Sequence, residues 1–208
     1  GDGDTGLNTG GMGAYSPAPV LDDKSIARVM NEIVMPTVET LSNRGTPFSG
    51  VLFTGLMLTE SGPQLIEYNV RFGDPECQVL MMRYEGDLVE LMYAIAQGEL
   101  GGMETPRFSA ESAMTVVMAA KGYPGTPEKG CQIDKIDAAE AKGAKIFHAG
   151  TSIEDGQLVA SGGRVLNVTA MGKSLKDARN AAYSAIKKVD FADGFYRGDI
   201  GWRELERS

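Results

Sequence analysis

The sequence predicts an α+β fold in two parts, a mainly helical part with one β-hairpin followed by a part built from short strands. Apolar residues recur at helical spacing from Asp22 onward and again over residues 87–97. Beyond residue 108 the pattern changes to short strands between Gly- and Pro-rich turns. Residues 98–108 contain three glycines and a proline and are the predicted boundary. We therefore expect one domain over residues 1–100 and a second over residues 108–208.

In the first part, residues 1–20 are predicted to be loop, because Gly, Asp, Asn, Thr and Pro dominate them. A helix is predicted from Asp22, and Pro36 marks a point where it kinks or ends. Residues 51–59 and 64–70 are rich in β-forming residues and flank the turn E-S-G-P. They are therefore predicted to form a hairpin, which is followed by two further helical stretches.

The second part is predicted to be a small β-sheet or barrel with one covering helix. Ser174 is a suitable N-cap for that helix, which should extend to about Lys188. Four strands are predicted, over residues 113–120, 144–149, 157–160 and 164–170.

Composition limits the classes of partner. With 20 basic and 28 acidic residues, the chain has a formal net charge of −8, which argues against nucleic acid or an anionic membrane surface as the main partner. No apolar run approaches the roughly 18–20 residues that span a bilayer. There is no basic-then-apolar leader, so a cytoplasmic location with reduced Cys77 and Cys131 is expected. Because the first residue is Gly rather than Met, we expect an upstream portion to be missing.

The end of the predicted hairpin has the composition of a metal site. Glu67 and Asn69 are two residues apart on one strand, so their side chains should share a face, and Arg71 should follow on the same face. A carboxylate beside an amide oxygen suits Mg²⁺, and a guanidinium suits a phosphate or a carboxylate. Since His148 is the only histidine, any metal must be held by oxygen ligands. The spacing alone leaves a second interpretation open, an exposed strand with Glu67 and Arg71 as a surface ion pair.

Longer strings around this motif resemble one family. The chain contains G-D-G-D-T-G-L-N-T-G-G-M-G-A-Y-S-P, I-E-Y-N-V-R-F-G-D-P-E, K-G-Y-P-G, F-H-A-G-T, S-G-G-R-V-L-N-V-T-A-M-G and Y-R-G-D-I-G-W-R. In this order they are similar to the phosphoribosylamine–glycine ligase (glycinamide ribonucleotide synthetase) family of the ATP-grasp superfamily. The resemblance covers essentially the whole chain. It implies the second half of an ATP-grasp domain, followed by the family's small β-rich C-terminal domain with a covering helix.

The resemblance implies a purine-biosynthesis ligase that joins glycine to 5-phosphoribosylamine with ATP and Mg²⁺ or Mn²⁺. Its expected route phosphorylates the glycine carboxylate, and the ribosylamine nitrogen then attacks the acyl phosphate. On this carry-over Glu67 and Asn69 are the metal ligands. Arg71 steadies the transferred phosphoryl group or the carboxylate, and Asp74 is a candidate partner for a substrate amine.

Substrate contacts are also expected from the glycine-rich segment 1–13 and from Arg164. Glycines let backbone N–H groups approach an anion closely, and Asp2 or Asp4 could meet the glycine ammonium. The residues assigned to substrate binding are Asp2, Asp4, Asn8, Thr9, Gly10, Gly11 and Arg164. A flexible loop, and a tight turn with a solvated Arg164, are the alternatives that the residues themselves leave open.

The resemblance also implies missing parts. Members of the family carry an N-terminal substrate domain and the first part of the ATP-grasp domain, so those N-terminal domains are expected partners of this chain. Residues 54–57 lack the third acidic metal ligand that many ATP-grasp relatives have. The 208-residue chain alone is therefore expected to be inactive. Two alternatives remain, a non-catalytic fragment or binding module, and an ATP-grasp ligase that acts on another purine intermediate.

Overall fold

The computed structural model describes residues 1–207 of the chain, and it confirms the predicted α+β class. None of the helices in this range is long and apolar enough to cross a membrane. A π-helical turn over Met30–Val34 joins the first two helices, and short 3-10 turns occupy Asp2–Asp4 and Leu100–Gly102. In chain order, the other elements are β1 (Gly13–Ser16), α1 (Asp23–Val29), α2 (Met35–Asn43), β2 (Phe53–Thr59), β3 (Gly62–Asn69), α3 (Glu76–Arg83), α4 (Leu88–Gln97), β4 (Ser112–Ala120), α5 (Ile136–Glu140), β5 (Lys145–His148), β6 (Thr151–Glu154), β7 (Gln157–Ala160), β8 (Arg164–Gly172), α6 (Leu175–Ile186), β9 (Gly194–Phe195) and α7 (Trp202–Arg207).

The chain forms two compact units. The smaller unit consists of residues 18–73 and 85–107. The larger unit combines residues 1–17, residues 74–84 and the chain from Phe108 onward. The predicted division of the chain into two family domains, residues 1–100 and 108–208, is a different division from these compact units and stays a prediction.

An antiparallel sheet forms the centre of the larger unit. Its strand order is β1-β4-β8-β5, and β9 pairs with the end of β4. Helix α6 packs against β4 and β8, and α3 also packs against these strands. Strands β6 and β7 form a separate hairpin in the same unit.

Strand β4 is buried on both faces of the sheet. Because successive side chains of a strand point in opposite directions, neighbouring residues of β4 pack into different clusters. Met114 and Val116 belong to the main apolar cluster, which also contains the alanines and the isoleucine on the inner side of α6. Val117 and Ala119 pack instead with Met12, at the end of the glycine-rich segment. The sheet therefore supports α6 on one face and the glycine-rich segment on the other.

Strand β1 shows that the prediction of loop throughout residues 1–20 was wrong. Gly13 lies opposite Val116 on β4, and the pairing continues to the end of β1. A Cβ atom on Gly13 would lie 2.8 Å from the side chain of Ile200, so the close approach of these segments requires glycine. The strand forms because β4 offers it an edge, and local composition does not reveal that pairing.

The other predicted strands and the covering helix are confirmed within a few residues. The predicted strands correspond to β4, β5, β7 and β8, and the predicted helix to α6. Strands β6 and β9 and helices α5 and α7 were not predicted. Each of these elements has six residues or fewer, so it contains too few residues for a clear periodic pattern.

In the smaller unit, the first helix does not end at Pro36. Helix α1, the π-helical turn and α2 follow one another without a break as far as Asn43. Pro36 lies in the first turn of α2, directly after the π-helical turn. Proline lacks an N–H donor, and a change of hydrogen-bond register next to it lets the helix continue.

Strands β2 and β3 form the predicted hairpin. Their register shifts between Gly55, which lies opposite Glu67, and Leu56, which lies opposite Leu65. Ile66 is therefore the extra residue of a β-bulge on β3. The bulge lies directly before the pair Glu67 and Asn69.

Loss of the N-cap of α6 is expected to destabilise the larger unit. The Oγ of Ser174 accepts a hydrogen bond of 3.2 Å from the backbone N–H of Asp177. Ser174→Ala leaves this N–H without its acceptor and should lower the free energy of unfolding by about 1 kcal/mol. Urea denaturation followed by circular dichroism measures the change.

Ser184→Ala is the matched control, because Ser184 is exposed in the last turn of the same helix, far from its N-cap. Alanine has the higher helix propensity, so this control should be neutral or slightly stabilising. Equal destabilisation by the two substitutions would contradict a capping role for Ser174.

Candidate active site

The metal-ligand pair predicted from the sequence lies at the end of β3 in the smaller unit. The Nδ2 of Asn69 donates a hydrogen bond of 3.2 Å to Oε1 of Glu67, so the two side chains share one face as expected. Glu67 is exposed and Asn69 is half-buried. This arrangement leaves Oδ1 of Asn69 and Oε2 of Glu67 as oxygen atoms outside that hydrogen bond. A carboxylate and an amide oxygen are hard donors that suit Mg²⁺, which takes few protein ligands and completes its shell with water and phosphate.

Gly55 on β2 determines how the Glu67 side chain lies, and the sequence interpretation missed this residue. A Cβ atom on Gly55 would come within 3.1 Å of Cγ of Glu67 and 3.4 Å of its carbonyl oxygen. The absence of a side chain at this position lets Glu67 lie close to the neighbouring strand. The signal that could have revealed it is a glycine inside a predicted strand, which often marks a bulge or a close approach.

Arg71 departs from the expectation that it shares the face of Glu67 and Asn69. Strand β3 ends at Asn69, and Arg71 lies in the bend that follows, so strand alternation does not extend to it. Its Nη1 donates a hydrogen bond of 2.6 Å to the carbonyl oxygen of Phe72. The side chain is exposed, and its role in phosphoryl transfer stays a prediction.

Histidine, cysteine and acidic side chains do not form a metal site of their own within residues 1–207. No group of three or more of them is arranged to hold a metal ion. A metal at Glu67 and Asn69 would therefore depend on oxygen atoms of a nucleotide and water for most of its ligands. That requirement is consistent with a site whose metal arrives with a phosphorylated substrate.

In the larger unit, Arg164 links two segments that the sequence interpretation had assigned to substrate. Its Nη1 donates to the carbonyl oxygens of Gly11, at 3.0 Å, and Asp74, at 2.6 Å. Its Nη2 donates to Oδ2 of Asp74 at 2.8 Å. The prediction that Arg164 reaches a substrate phosphate is untested, and the structure shows a guanidinium group that holds Gly11 beside Asp74.

Asp74 has a second partner on α3. The Nε2 of Gln78 donates a hydrogen bond of 3.1 Å to Oδ1 of Asp74. Burial, together with the charge of Asp74, raises the pKa of the neighbouring Cys77 thiol. Arg164 and Gln78 together engage both carboxylate oxygens of Asp74, which fixes the direction of this side chain. Its predicted contact with a substrate amine stays a prediction.

Close packing around Gly10 and Gly11 explains two of the glycines in the glycine-rich segment. A Cβ atom on Gly11 would lie 2.5 Å from Cδ of Pro75, and one on Gly10 would lie 3.1 Å from Cζ of Arg164. The backbone N–H of Gly10 donates a hydrogen bond of 3.0 Å to the hydroxyl oxygen of Tyr123. Tyr123 was not predicted as a site residue, although it lies in the quoted string K-G-Y-P-G.

The beginning of the glycine-rich segment contacts the chain near its C-terminus. Oδ1 of Asp2 accepts from the backbone N–H of Gly198 at 2.8 Å, and Asp4 forms ion pairs with Arg197 and Arg203. The hydrogen bonds from these arginines, with that of Arg197 the stronger influence, lower the pKa of the Asp4 carboxyl. Asn8 and Thr9 line a small cleft beside the same segment.

Two family models match the chain. Residues 1–77 match the phosphoribosylglycinamide synthetase ATP-grasp (A) domain, and residues 113–203 match the phosphoribosylglycinamide synthetase C domain. Together the matched ranges take in both the glycine-rich segment and the hairpin that carries Glu67 and Asn69.

Curated relatives and a solved structure agree with these matches. The phosphoribosylamine–glycine ligases of Rhizobium meliloti (strain 1021) and Mesorhizobium japonicum are 59% and 56% identical to this chain over 207 residues. The match covers 100% of this chain and 48% of each relative, so the chain spans about half their length. The crystal structure of phosphoribosylamine–glycine ligase from Thermotoga maritima is 38% identical, with a TM-score of 0.78, and the match covers 95% of this chain and 48% of that one.

Proposed function

Because the chain belongs to the phosphoribosylglycinamide synthetase family, we propose that it provides part of the active site of a ligase. In a protein of the length of its relatives, the reaction joins glycine to 5-phosphoribosylamine and converts ATP to ADP and phosphate. The product is glycinamide ribonucleotide, an intermediate of purine biosynthesis. The observation that carries the proposal is the pair of oxygen ligands at the end of β3, Glu67 and Asn69, at a bulge that brings Glu67 over Gly55.

The proposed chemistry requires charge to be neutralised as a phosphoryl group moves. ATP transfers its terminal phosphoryl group to the glycine carboxylate, and the amine then attacks the acyl carbon and releases phosphate. Glu67 and Asn69 would hold Mg²⁺ or Mn²⁺, which would neutralise charge on the nucleotide phosphates. Arg71 would contact the transferred phosphoryl group or the carboxylate through its guanidinium, whose planar set of N–H donors suits either anion.

The larger unit is proposed to bind substrate through the glycine-rich segment and the residues around it. Because glycine has no side chain, the backbone N–H groups of this segment can approach an anionic group closely. Asn8 and Thr9 add polar side chains beside these N–H groups. Asp74 is oriented by Arg164 and Gln78, and it would face a substrate amine. Arg164 would add positive charge near a substrate phosphate if its present contacts rearrange on binding.

Several further assignments belong to the same proposal. The family domains are proposed to extend over residues 1–100 and 108–208, and the matched ranges 1–77 and 113–203 support this division. The remaining domains of the same protein are proposed partners, and the location is proposed to be cytoplasmic. A non-catalytic fragment is the second candidate, because the chain spans only 48% of the curated relatives it matches.

Measurement of ADP release tests the proposal in two proteins, the 208-residue chain and a version extended to the length of its relatives. We expect the extended protein to release ADP only when glycine, phosphoribosylamine and divalent metal are all present. We expect the 208-residue chain to release none, because it provides only part of the site.

Assays with glycine omitted, or with a different carboxylate and amine, distinguish the proposed reaction from that of a related ligase. Release of ADP that does not depend on glycine would contradict the proposed reaction, and faster release with another carboxylate and amine of purine synthesis would favour a related ATP-grasp ligase. Activity of the 208-residue chain by itself would contradict its assignment as an incomplete site.

A further inference from the structure

Reciprocal hydrogen bonds join the start of the glycine-rich segment to a turn near the C-terminus. We call residues 197–201, with the sequence R-G-D-I-G, the C-terminal turn. Asp2 of the glycine-rich segment accepts from the N–H of Gly198 at 2.8 Å, and Asp199 of the turn accepts from the N–H of Gly3 at 2.8 Å. Each segment therefore caps a backbone donor of the other.

Ion pairs join the same two segments. Arg197 contacts Oδ1 of Asp4 at 2.9 Å and Oδ2 of Asp199 at 2.7 Å through Nη2, and Oδ1 of Asp199 at 2.8 Å through Nε. Arg203 also pairs with Asp4. The hydrogen bonds from Arg197 hold the pKa of Asp199 well below its usual range, and Asp199 in turn raises the pKa of Arg197. Arg197 and Asp199 therefore stay charged and paired at neutral pH.

The C-terminal turn is fixed to the core by α6. The guanidinium of Arg179 donates to the carbonyl oxygens of Gly198, at 2.6 Å, and Ile200, at 3.1 Å. The hydroxyl group of Tyr183 donates to the carbonyl oxygen of Arg197 at 2.6 Å and accepts from the N–H of Ile200 at 3.2 Å. The turn is thus a fixed support for the glycine-rich segment.

The backbone of the glycine-rich segment needs such a support. Gly3 has φ = +69°, and Asp4, which is not glycine, has φ = +59°. A left-handed conformation is unfavourable for a residue with a side chain and persists when surrounding contacts fix it. The two ion pairs of Asp4 and the hydrogen bond to the N–H of Gly3 are contacts of this kind.

We propose that Arg197 and Asp199 are positioning residues that set the conformation of residues 2–4 and so hold the glycine-rich segment in its substrate-binding form. In this arrangement Asp2 and Asp4 anchor the segment, and substrate contacts come from the residues that follow them. The consequence for substrate rests on the proposed ligase function, whereas the anchoring itself does not.

Amide hydrogen exchange in the 208-residue chain tests the anchoring alone. Asp199→Ala removes the acceptor of the Gly3 N–H and the main partner of Arg197. The exchange rate of the Gly3 amide should rise at least tenfold, and that of the Gly198 amide should rise with it because the bonds act together. Asp190→Ala is the control, since Asp190 pairs with Lys135 on an exposed surface of the same unit, and both rates should be unchanged. A Gly3 amide that already exchanges in the unsubstituted chain as fast as in an unstructured peptide would overturn the proposal.

Steady-state kinetics in the extended protein test the consequence for substrate. Asp199→Ala should raise the KM for glycine or for phosphoribosylamine at least tenfold, while the KM for ATP and the melting temperature stay within error of the unsubstituted protein. Unchanged KM values for both substrates, or a uniform loss of all parameters together with the melting temperature, would overturn a positioning role. Absence of ligase activity in the unsubstituted protein would refute the proposed function, and the exchange measurement would still decide the anchoring.

Discussion

Glu67→Gln is expected to lower the turnover of the extended protein by about 100-fold or more, equivalent to about 3 kcal/mol of transition-state stabilisation. Glutamine keeps the size of the side chain and removes the negative charge that attracts a divalent cation. Since Asn69 is neutral, the substitution leaves the proposed site without an anionic protein ligand. Turnover is measured as glycine-dependent ADP release over a range of Mg²⁺ concentrations.

The fold should tolerate Glu67→Gln, because Glu67 is exposed on β3 and its hydrogen bond from Asn69 can be kept by the amide oxygen of glutamine. Glu60→Gln is the matched control. Glu60 lies in the turn of the same hairpin, and its replacement by glutamine makes the same change of charge. This substitution should leave turnover within about twofold, since isolated surface charges contribute little. Equal turnover of the Glu67→Gln protein and the unsubstituted protein at low Mg²⁺ would remove Glu67 from the metal site.

Local patterns in the sequence predict the elements that form their own contacts. The hairpin β2–β3 and helix α6 were predicted within a few residues, because strand alternation, a turn sequence and an N-cap lie within short segments. Strand β1 was missed because it pairs with β4, about a hundred residues away in the chain. In the sequence, Gly13 is typical of a loop. The strand needs glycine at this position because the side chain of Ile200 lies next to it in space.

The candidate site divides in the same way. Glu67 and Asn69 follow from a spacing of two on a strand, so sequence alone could place them side by side. Arg71 could not be placed, since the end of β3 depends on where the hairpin stops pairing. The partners of Asp4 lie 193 and 199 residues further along the chain, and no local pattern relates an acidic loop residue to arginines at that distance.

Leu166→Ala is expected to lower the free energy of unfolding of the larger unit by about 2–5 kcal/mol. Leu166 has no exposed surface and lies on β8, opposite Met118 of β4 and His148 of β5. Its side chain belongs to the cluster between the sheet and α6, where the neighbouring backbone is held by hydrogen bonds on both sides and cannot collapse fully into the space left behind. Guanidinium denaturation measures the loss.

Ile153→Ala is the control, because Ile153 lies on β6 of the same unit with 67% of its surface exposed. Its replacement should change the free energy of unfolding by less than about 0.5 kcal/mol. Two equal effects would contradict the placement of the core between the sheet and α6.

A loss of several kcal/mol at Leu166 would be a large share of the roughly 5–15 kcal/mol that stabilises a domain. Because β4 carries the glycine-rich segment on its other face, through Val117 and Met12, loss of this core should also loosen the segment that is proposed to bind substrate.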